Sequence, residues 1–243
     1  YGRQKLGKIN RRTGGIDLNS GITFSVDATN GASRRLTVSI EITGPFTENI
    51  LELRFPRWVP GSYFIREPIQ HMSELSAKID GKSSKISRVD VDGAKVSGVK
   101  GAKLVSINYR LLAAEMTCRA NHLDSTHVHI MPPYTWMLPT RGIDKNRIEM
   151  DHKVTLDAPS DWHTATQLKG VEGEWIAEGR DEFLDAIMES NPNPMITFEV
   201  EGTNQHLKLW DSGGLPIPQE GLDRFLNAMR LVIEEHFALF GVP

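Results

Sequence analysis

Alternation of apolar and polar residues along the chain predicts a domain built mainly of β-strands. The two longest alternating stretches run from Leu36 to Ile42 and from Val105 to Leu111. Shorter stretches repeat the pattern at 24–26, 53–55, 154–156, 196–200 and 207–209. Turn-forming pairs such as Asn30-Gly31, Asp80-Gly81 and Asp92-Gly93 lie between the stretches. Many short strands separated by turns are typical of antiparallel sandwiches and barrels, so we predict an all-β fold, an antiparallel β-sandwich.

Two segments depart from this alternation and predict helices. The stretch Asp181–Met188 favours a short helix, and Asn191-Pro192 follows it. From 219 to 240 apolar residues recur at helical spacing, and Gly241 is well placed to end that helix. We therefore predict a basic leader at 1–20, a β-sandwich domain at 21–215, and a linker with the first helix of a further domain at 216–243.

The helix predicted at 219–240 has an apolar stripe that another surface has to cover. One alternative is that the helix folds back onto the sandwich. The other is that it belongs to a domain that this sequence does not contain. In the second case we expect an exposed apolar face and self-association through the 219–240 helix.

Composition and charge limit the classes of function. Of the 243 residues 39% are apolar and 24% are charged, which is typical of a globular protein. A net charge of -3 with interspersed signs is unlike a nucleic-acid binder, which needs a concentrated basic face. No apolar run reaches the roughly 18–20 residues of a membrane span, and no signal-peptide pattern identifies a compartment. The single cysteine, Cys118, excludes an internal disulfide, and we interpret it as a small buried residue on a strand.

The most informative segment is LRFPRWVPGSYFIREPIQH at 53–71. A half-buried strand ends at Pro56, and the turn Pro60-Gly61-Ser62 follows, so the sequence predicts a rigid loop. The string PxWxPGSYxIR in it closely resembles the N-terminal domain of the glycyl aminopeptidase family, zinc metallopeptidases of the gluzincin kind. Weaker matches follow in the family's order, in the segments CRANHLD, APSDWHTATQL, DEFLDAIMESNP, GTNQHLKLWDSGG and HFALFGVP. Departures from the family pattern occur at Pro68 and over 125–145.

The resemblance implies a β-sandwich that packs against a catalytic domain of the same polypeptide, usually with a PDZ-like domain further on. The implied reaction is removal of N-terminal residues from peptides by water that a zinc ion activates. In that family zinc is held by the His-Glu-x-x-His motif of a helix and a downstream glutamate. This sequence contains no such motif. We therefore expect no catalytic residue and no cofactor in this chain, zinc in the missing domain, and a chain that is inactive alone.

Tyr63, Arg66 and Glu67 are the candidates for contact with a substrate, because the sandwich borders the catalytic cleft in related two-domain enzymes. A carboxylate can pair with the free amine of a peptide, and an arginine can pair with its carbonyl or carboxylate. The alternative is structural: Arg66 and Glu67 form hydrogen bonds within the domain, while Tyr63 and Trp58 cover the edge of the sandwich.

His122, His127 and His129 are the alternative candidates for a metal site. An H-x-H pair on a strand directs both rings to the same face, and Asp124 offers a further oxygen. Histidines in an ordinary loop need no metal, however, and we interpret these three as polar or packing residues.

A binding module for carbohydrate or for a protein partner is the alternative function. It depends on aromatic residues that are exposed on the sandwich, and the candidates are Tyr134, Trp136, Trp162, Trp175 and Trp210. The chain has no G-x-S-x-G motif and no P-loop, so nucleophilic catalysis and phosphate binding find no support.

Overall fold

The structure, a computed structural model, describes residues 21–58, 63–210 and 218–241. The predicted leader at 1–20, the turn at 59–62 and the segment 211–217 lie outside the described residues. The strands of the described part are β1 (Ile22–Asp27), β2 (Arg35–Thr43), β3 (Ile50–Arg54), β4 (Met72–Ile79), β5 (Lys82–Ser84), β6 (Ile86–Val89), β7 (Gly93–Ser97), β8 (Leu104–Leu112), β9 (His122–Leu123), β10 (Val128–Ile130), β11 (Leu138–Arg141), β12 (His152–Asp157), β13 (His163–Ala165), β14 (Lys169–Val171), β15 (Glu174–Ala177), β16 (Met188–Asn191), β17 (Ile196–Val200) and β18 (Thr203–Leu207). The helices of that part are α1 (Pro132–Thr135), α2 (Arg180–Asp185) and α3 (Gln219–Phe240), with short 3-10 helices at Gly31–Ser33, Pro68–His71 and Lys145–Glu149.

Four sheets form in the described part of the chain. The largest has the order β14-β15-β12-β1-β2-β8-β4-β5, and β1 pairs with β12 in parallel while its other neighbours are antiparallel. Two smaller sheets have the orders β11-β3-β7-β6 and β13-β16-β10-β9, and the last is the β17-β18 hairpin. The all-β prediction is confirmed, with mostly antiparallel pairing and the long helix at the end.

The core lies between the large sheet and the β11-β3-β7-β6 sheet. Every second residue of β2 and β8 is buried, as the alternation in the sequence predicts. These residues join one hydrophobic cluster with Leu51 and Leu53 of β3 and Val96 of β7. Near α1 and α2 the cluster consists largely of aromatic side chains. The ring centroids of Phe24 and Phe183 lie 4.3 Å apart there.

The short helix is shorter than the prediction over Asp181–Met188. It spans Arg180–Asp185, and Met188 already belongs to β16. Met188 is buried and pairs with Ile130 of β10, so tertiary pairing overrides the local helical pattern there.

The prediction of a helix at 219–240 is confirmed by α3, none of whose residues is buried. One side of α3 adjoins β17, where the Arg230 guanidinium donates to the Glu199 carbonyl at 2.7 Å and lies over the Phe198 ring. The apolar side chains of Leu231, Val232, Leu239 and Phe240 stay 63–76% exposed. Within the described residues, none of the helices combines the length and apolar character of a membrane span.

Candidate functional site

The 53–71 segment leaves the sandwich at the end of β3 and is anchored there by an ion-pair network. Arg54 and Arg57 both pair with Asp92, whose carboxylate is buried: Arg54 Nη1 lies 2.6 Å from Asp92 Oδ1, and Arg57 Nε donates to Asp92 Oδ2. Arg57 also reaches the exposed Asp90 at 2.6 Å. Burial alone would raise the pKa of Asp92, but hydrogen bonds and charge from the two arginines outweigh it and lower that pKa below its ordinary value.

Beyond this anchor the predicted substrate-contact residues lie at the surface. Tyr63 is 89% exposed, Glu67 is exposed, and Arg66 is half-buried. The backbone N–H of Arg66 donates to the Arg57 carbonyl at 3.3 Å, which joins the two ends of the loop. Trp58 is 56% exposed as well.

A second feature is a pocket of about 460 Å³ beside the β13-β16-β10-β9 sheet. The pairing of the strands explains why it is lined by histidines. His122 on β9 lies directly opposite His129 on β10, and His129 lies opposite Glu189 on β16. Directly paired residues project from the same face of a sheet, and His127 is two positions before His129. The sheet therefore presents His122, His127, His129 and Glu189 to one pocket.

Asn121 fixes the start of β9, next to His122. Its side-chain oxygen accepts from the Met131 backbone N–H at 2.8 Å and from the Thr135 hydroxyl at 3.0 Å, and its amide donates to the Tyr134 carbonyl at 3.2 Å. The Asn121 side chain is buried and forms hydrogen bonds with backbone groups at both ends of α1. These bonds hold α1 against β9. The histidines are thus placed by a rigid support and not by a loose loop.

His122 and His127, which line the pocket, form a compact group with Asp124. His122 Nε2 lies 3.2 Å from Asp124 Oδ2, and His127 Nδ1 lies 3.5 Å from Asp124 Oδ1. One nitrogen or oxygen atom of each residue lies within 4.8 Å of the others. The two imidazoles stack with ring centroids 4.7 Å apart, and the Trp210 indole covers His127 at 3.6 Å.

The electrostatics of this group set its protonation. Burial opposes ionisation of Asp124, but hydrogen bonds from the Thr126 hydroxyl and N–H, from His122 and from the His127 N–H keep the pKa of this carboxyl far below its usual range. Burial lowers the pKa of His127 below its ordinary value. At neutral pH the group therefore combines an ionised carboxylate with a neutral imidazole at His127.

Comparison with known proteins places this geometry in a family. Residues 23–188 match the model of the Peptidase M61 N-terminal domain. The chain belongs to the Peptidase M61 N-terminal domain family. The resemblance that the loop motif and the segments after it suggest is thereby confirmed. A search of curated proteins gave no match.

One solved structure shows the same fold. An aminopeptidase N family protein from Idiomarina loihiensis superposes with a TM-score of 0.78 at 20% identity, over 90% of this chain and 36% of that protein. An M1 zinc metallopeptidase from Deinococcus radiodurans and yeast LTA4 hydrolase give TM-scores of 0.42 and 0.44 at 11% and 9% identity. The match to the Deinococcus protein covers 84% of this chain and 50% of that protein. The match to the yeast enzyme covers 79% of this chain and 32% of that enzyme. This M61 N-terminal domain chain thus spans about a third of the length of the Idiomarina protein.

The structure of this M61 domain separates the predicted site residues into two places. None of Tyr63, Arg66 and Glu67 lines the histidine pocket. Of the three predicted metal candidates, His122 and His127 lie together with Asp124. His129 turns instead to Glu189, with its Nδ1 3.1 Å from Oε2.

One interpretation made from the sequence is wrong. Cys118 is exposed, in the turn between β8 and β9, and not buried on a strand. The aromatic residues proposed for carbohydrate are mostly core: Trp136, Trp162 and Trp175 are no more than 7% exposed. Buried indoles offer no face to a sugar, so these three residues give the carbohydrate alternative no support.

Sequence reasoning missed the Asp92 anchor and the contribution of Glu189. Asp92-Gly93 reads as a plain turn, and only the pairing of β3 with β7 brings Arg54 opposite Gly93 and hence near Asp92. The sequence offers one signal for this anchor. It is a charged residue beside a turn glycine, together with arginines near the end of another predicted strand. Glu189 carried no signal, because it directly follows the predicted helix and the strand that contains it, β16, was not predicted.

Proposed function

We propose that this chain is the non-catalytic N-terminal domain of a zinc-dependent aminopeptidase. The observation that carries the proposal is the M61 N-terminal domain match over residues 23–188. The Idiomarina aminopeptidase N family protein supports it, because this chain corresponds to 36% of that protein and leaves room for a catalytic domain. The role of this domain is to pack against that catalytic domain and to border its active-site cleft.

The catalytic zinc of the proposed enzyme has no place in this chain. Zinc peptidases of this type bind the metal with two histidines one helical turn apart, in the motif His-Glu-x-x-His. The nearest string here, Glu234-Glu235-His236-Phe237 in α3, has one histidine and no second one four residues away. The zinc and the water that it activates therefore belong to the catalytic domain.

Helix α3 supports the same assignment. It contacts β17 on one side and exposes apolar side chains such as Leu231, Val232, Leu239 and Phe240 on the other. A stripe of this kind in a stable protein is covered by another surface. We assign that surface to the catalytic domain, which makes α3 the first helix of it and 216–218 the boundary.

The loop at 53–71 is the part of the domain that we assign to the cleft. It combines a fixed base, the arginine pairs to Asp92, with exposed aromatic and charged side chains at its far end. A rigid base with exposed functional groups is how scaffolds present binding residues. Glu67 would pair with the free amine of a peptide, and Arg66 with its carbonyl or carboxylate.

The first test is aminopeptidase activity and zinc content of this chain and of the protein extended through the catalytic domain. We expect the 243-residue chain to be inert and the extended protein to be active with zinc bound. Loss of activity on chelation and recovery with zinc would support the metal's role. An extended protein that binds zinc at no catalytic motif and releases no N-terminal residue would contradict the proposal.

The loop role is tested in the extended protein with Arg66→Ala and Glu67→Gln. If each side chain contacts the substrate through a charge-assisted hydrogen bond, kcat/KM falls by about 10-fold or more, since such bonds contribute about 1.5–3 kcal/mol. Glu74→Gln, an exposed glutamate on β4, is the matched control and should leave kcat/KM unchanged. Unchanged kcat/KM with lower unfolding stability in the loop variants would mean that both residues are structural.

A further inference from the structure

We propose that His122, Asp124 and His127 bind a divalent transition-metal ion of the Zn²⁺ class. The inference rests on the geometry of the histidine pocket and is independent of the proposed peptidase function. It assigns the ion to the side chains of β9 and of the turn that leads to β10.

The separations between the candidate ligand atoms fit a tetrahedral ion. Ligands at the usual zinc distances of about 2.0–2.1 Å lie roughly 3.3–3.5 Å from one another in a tetrahedron. His122 Nε2 lies 3.2 Å from one oxygen of Asp124, and His127 Nδ1 lies 3.5 Å from the other. One ligand atom of each residue lies within 4.8 Å of the others, so the three side chains have to draw closer together when an ion binds at their centre.

The burial of the two imidazoles calls for a partner. The side chains of His122 and His127 are only 3% and 5% exposed. Within the described residues, His127 Nδ1 has no hydrogen-bond partner, and it lies 3.5 Å from Asp124 Oδ1. A buried nitrogen without a partner costs about 1–3 kcal/mol of stability. A metal ion bound to that nitrogen would remove this cost.

The protonation of the group also suits a metal. Ligand nitrogens have to be neutral and ligand carboxylates ionised. Burial lowers the pKa of His127, and hydrogen bonds hold the pKa of Asp124 far below its usual range despite burial.

The surroundings of the group act as a support. Asp124 is oriented by the Thr126 N–H at 2.7 Å and the His127 N–H at 3.0 Å, and the Trp210 indole donates to the Thr126 hydroxyl at 2.9 Å. Such outer contacts keep ligands in place before the ion arrives. The Lys208 ammonium lines the same pocket, but it donates to the carbonyls of Asn191 and Asn193.

Ligand type indicates the metal. Two imidazoles and one carboxylate suit zinc and its neighbours, whereas magnesium and calcium prefer oxygen ligands only. The pocket leaves the fourth position of a tetrahedron open to water or to a small ligand.

The test is titration of the 243-residue chain with ZnCl₂ and with MgCl₂ by calorimetry, together with thermal unfolding. We expect one Zn²⁺ per chain, a rise in Tm that depends on zinc concentration, and no response to Mg²⁺. Asp124→Asn and His127→Gln should each weaken zinc binding by about 100-fold or more, because even outer-shell changes cost 10–100-fold. His163→Gln, an exposed histidine on β13, is the control and should bind zinc as the parent chain does.

Circular dichroism of each variant establishes that it is folded before binding is measured. Absence of saturable zinc binding by the parent chain would overturn the proposal. So would variants at Asp124 and His127 that are folded and bind zinc normally, or loss of binding on His129→Gln alone, which would place the ion between His129 and Glu189.

Discussion

Replacing Phe24 by alanine is expected to lower the free energy of unfolding by about 3–5 kcal/mol, the usual range for removing a buried aromatic ring. Phe24 is fully buried in β1, at the centre of an aromatic cluster. Its ring centroid lies 4.3 Å from that of Phe183, 5.4 Å from that of His152 and 6.1 Å from that of Trp136. These partners come from α2, from the end of α1 and from the neighbouring strand β12, so the cavity would weaken the packing of α1 and α2 against the large sheet.

The measurement is urea unfolding at neutral pH followed by tryptophan fluorescence, since Trp136 is a partner of Phe24. Phe64→Ala is the matched control: Phe64 is 68% exposed, and a surface substitution changes stability by about 0.5 kcal/mol or less. Equal losses in the two variants would mean that the aromatic cluster does not form a packed core.

The strands of the large sheet are predictable from the sequence because one of their faces is buried. In β2 the buried residues Leu36, Val38, Ile40 and Ile42 alternate with residues that face outward, and this period is itself the signal. Helix α3 is predictable for the same reason at a period near 3.6, although none of its residues is buried by the part of the chain that the structure describes. Local patterning therefore suffices to predict a strand or a helix wherever the segment has one apolar face.

Pairing between distant segments is not predictable in this way. The parallel alignment of β1 with β12 joins Phe24 to Val154, and alternation carries no information about it. The histidine pocket depends on such pairing too. His127 and His129 are visible as an H-x-H pair, but the approach of Glu189 needs the β10–β16 register. The orientations of the histidine rings are not predictable either. The His127 ring packs on Trp210, and the His129 ring bonds to Glu189, so Asp124 and not His129 becomes the neighbour of His122 and His127.

Replacing Asp92 by alanine is expected to destabilise the domain by about 2 kcal/mol, since a hydrogen bond to a charged group contributes about 1.5–3 kcal/mol and the arginine partners are partly exposed. The variant leaves the guanidinium groups of Arg54 and Arg57 without their buried partner at the base of the 53–71 loop. Asp90→Asn is the matched control, because Asp90 has a φ of 59°, which asparagine tolerates better than alanine. Asp90 pairs with the same arginines but its side chain is 50% exposed, so solvent screens the pairs and the change should be much smaller.

The effect of Asp92 should depend on pH with a defined sign. Its pKa is lower in the folded state than the ordinary value near 4, so the unfolded chain binds the proton first as pH falls. The stabilisation is therefore complete above about pH 5 and shrinks as pH falls through the unfolded pKa of about 4 toward the lower folded value. Urea unfolding of the parent chain and of Asp92→Ala at pH 7 and pH 3 measures this difference.

The same substitution connects the fold to the proposed function. If Asp92 holds the loop that carries Tyr63, Arg66 and Glu67, the extended enzyme with Asp92→Ala keeps its zinc but loses affinity for peptide, so KM rises more than kcat falls. A stability difference that is equal at pH 7 and pH 3 would show that Asp92 acts by shape and not by charge. An unchanged KM in the folded variant would show that the loop holds its position without the arginine pairs, and its rigidity would then rest on the turn residues alone.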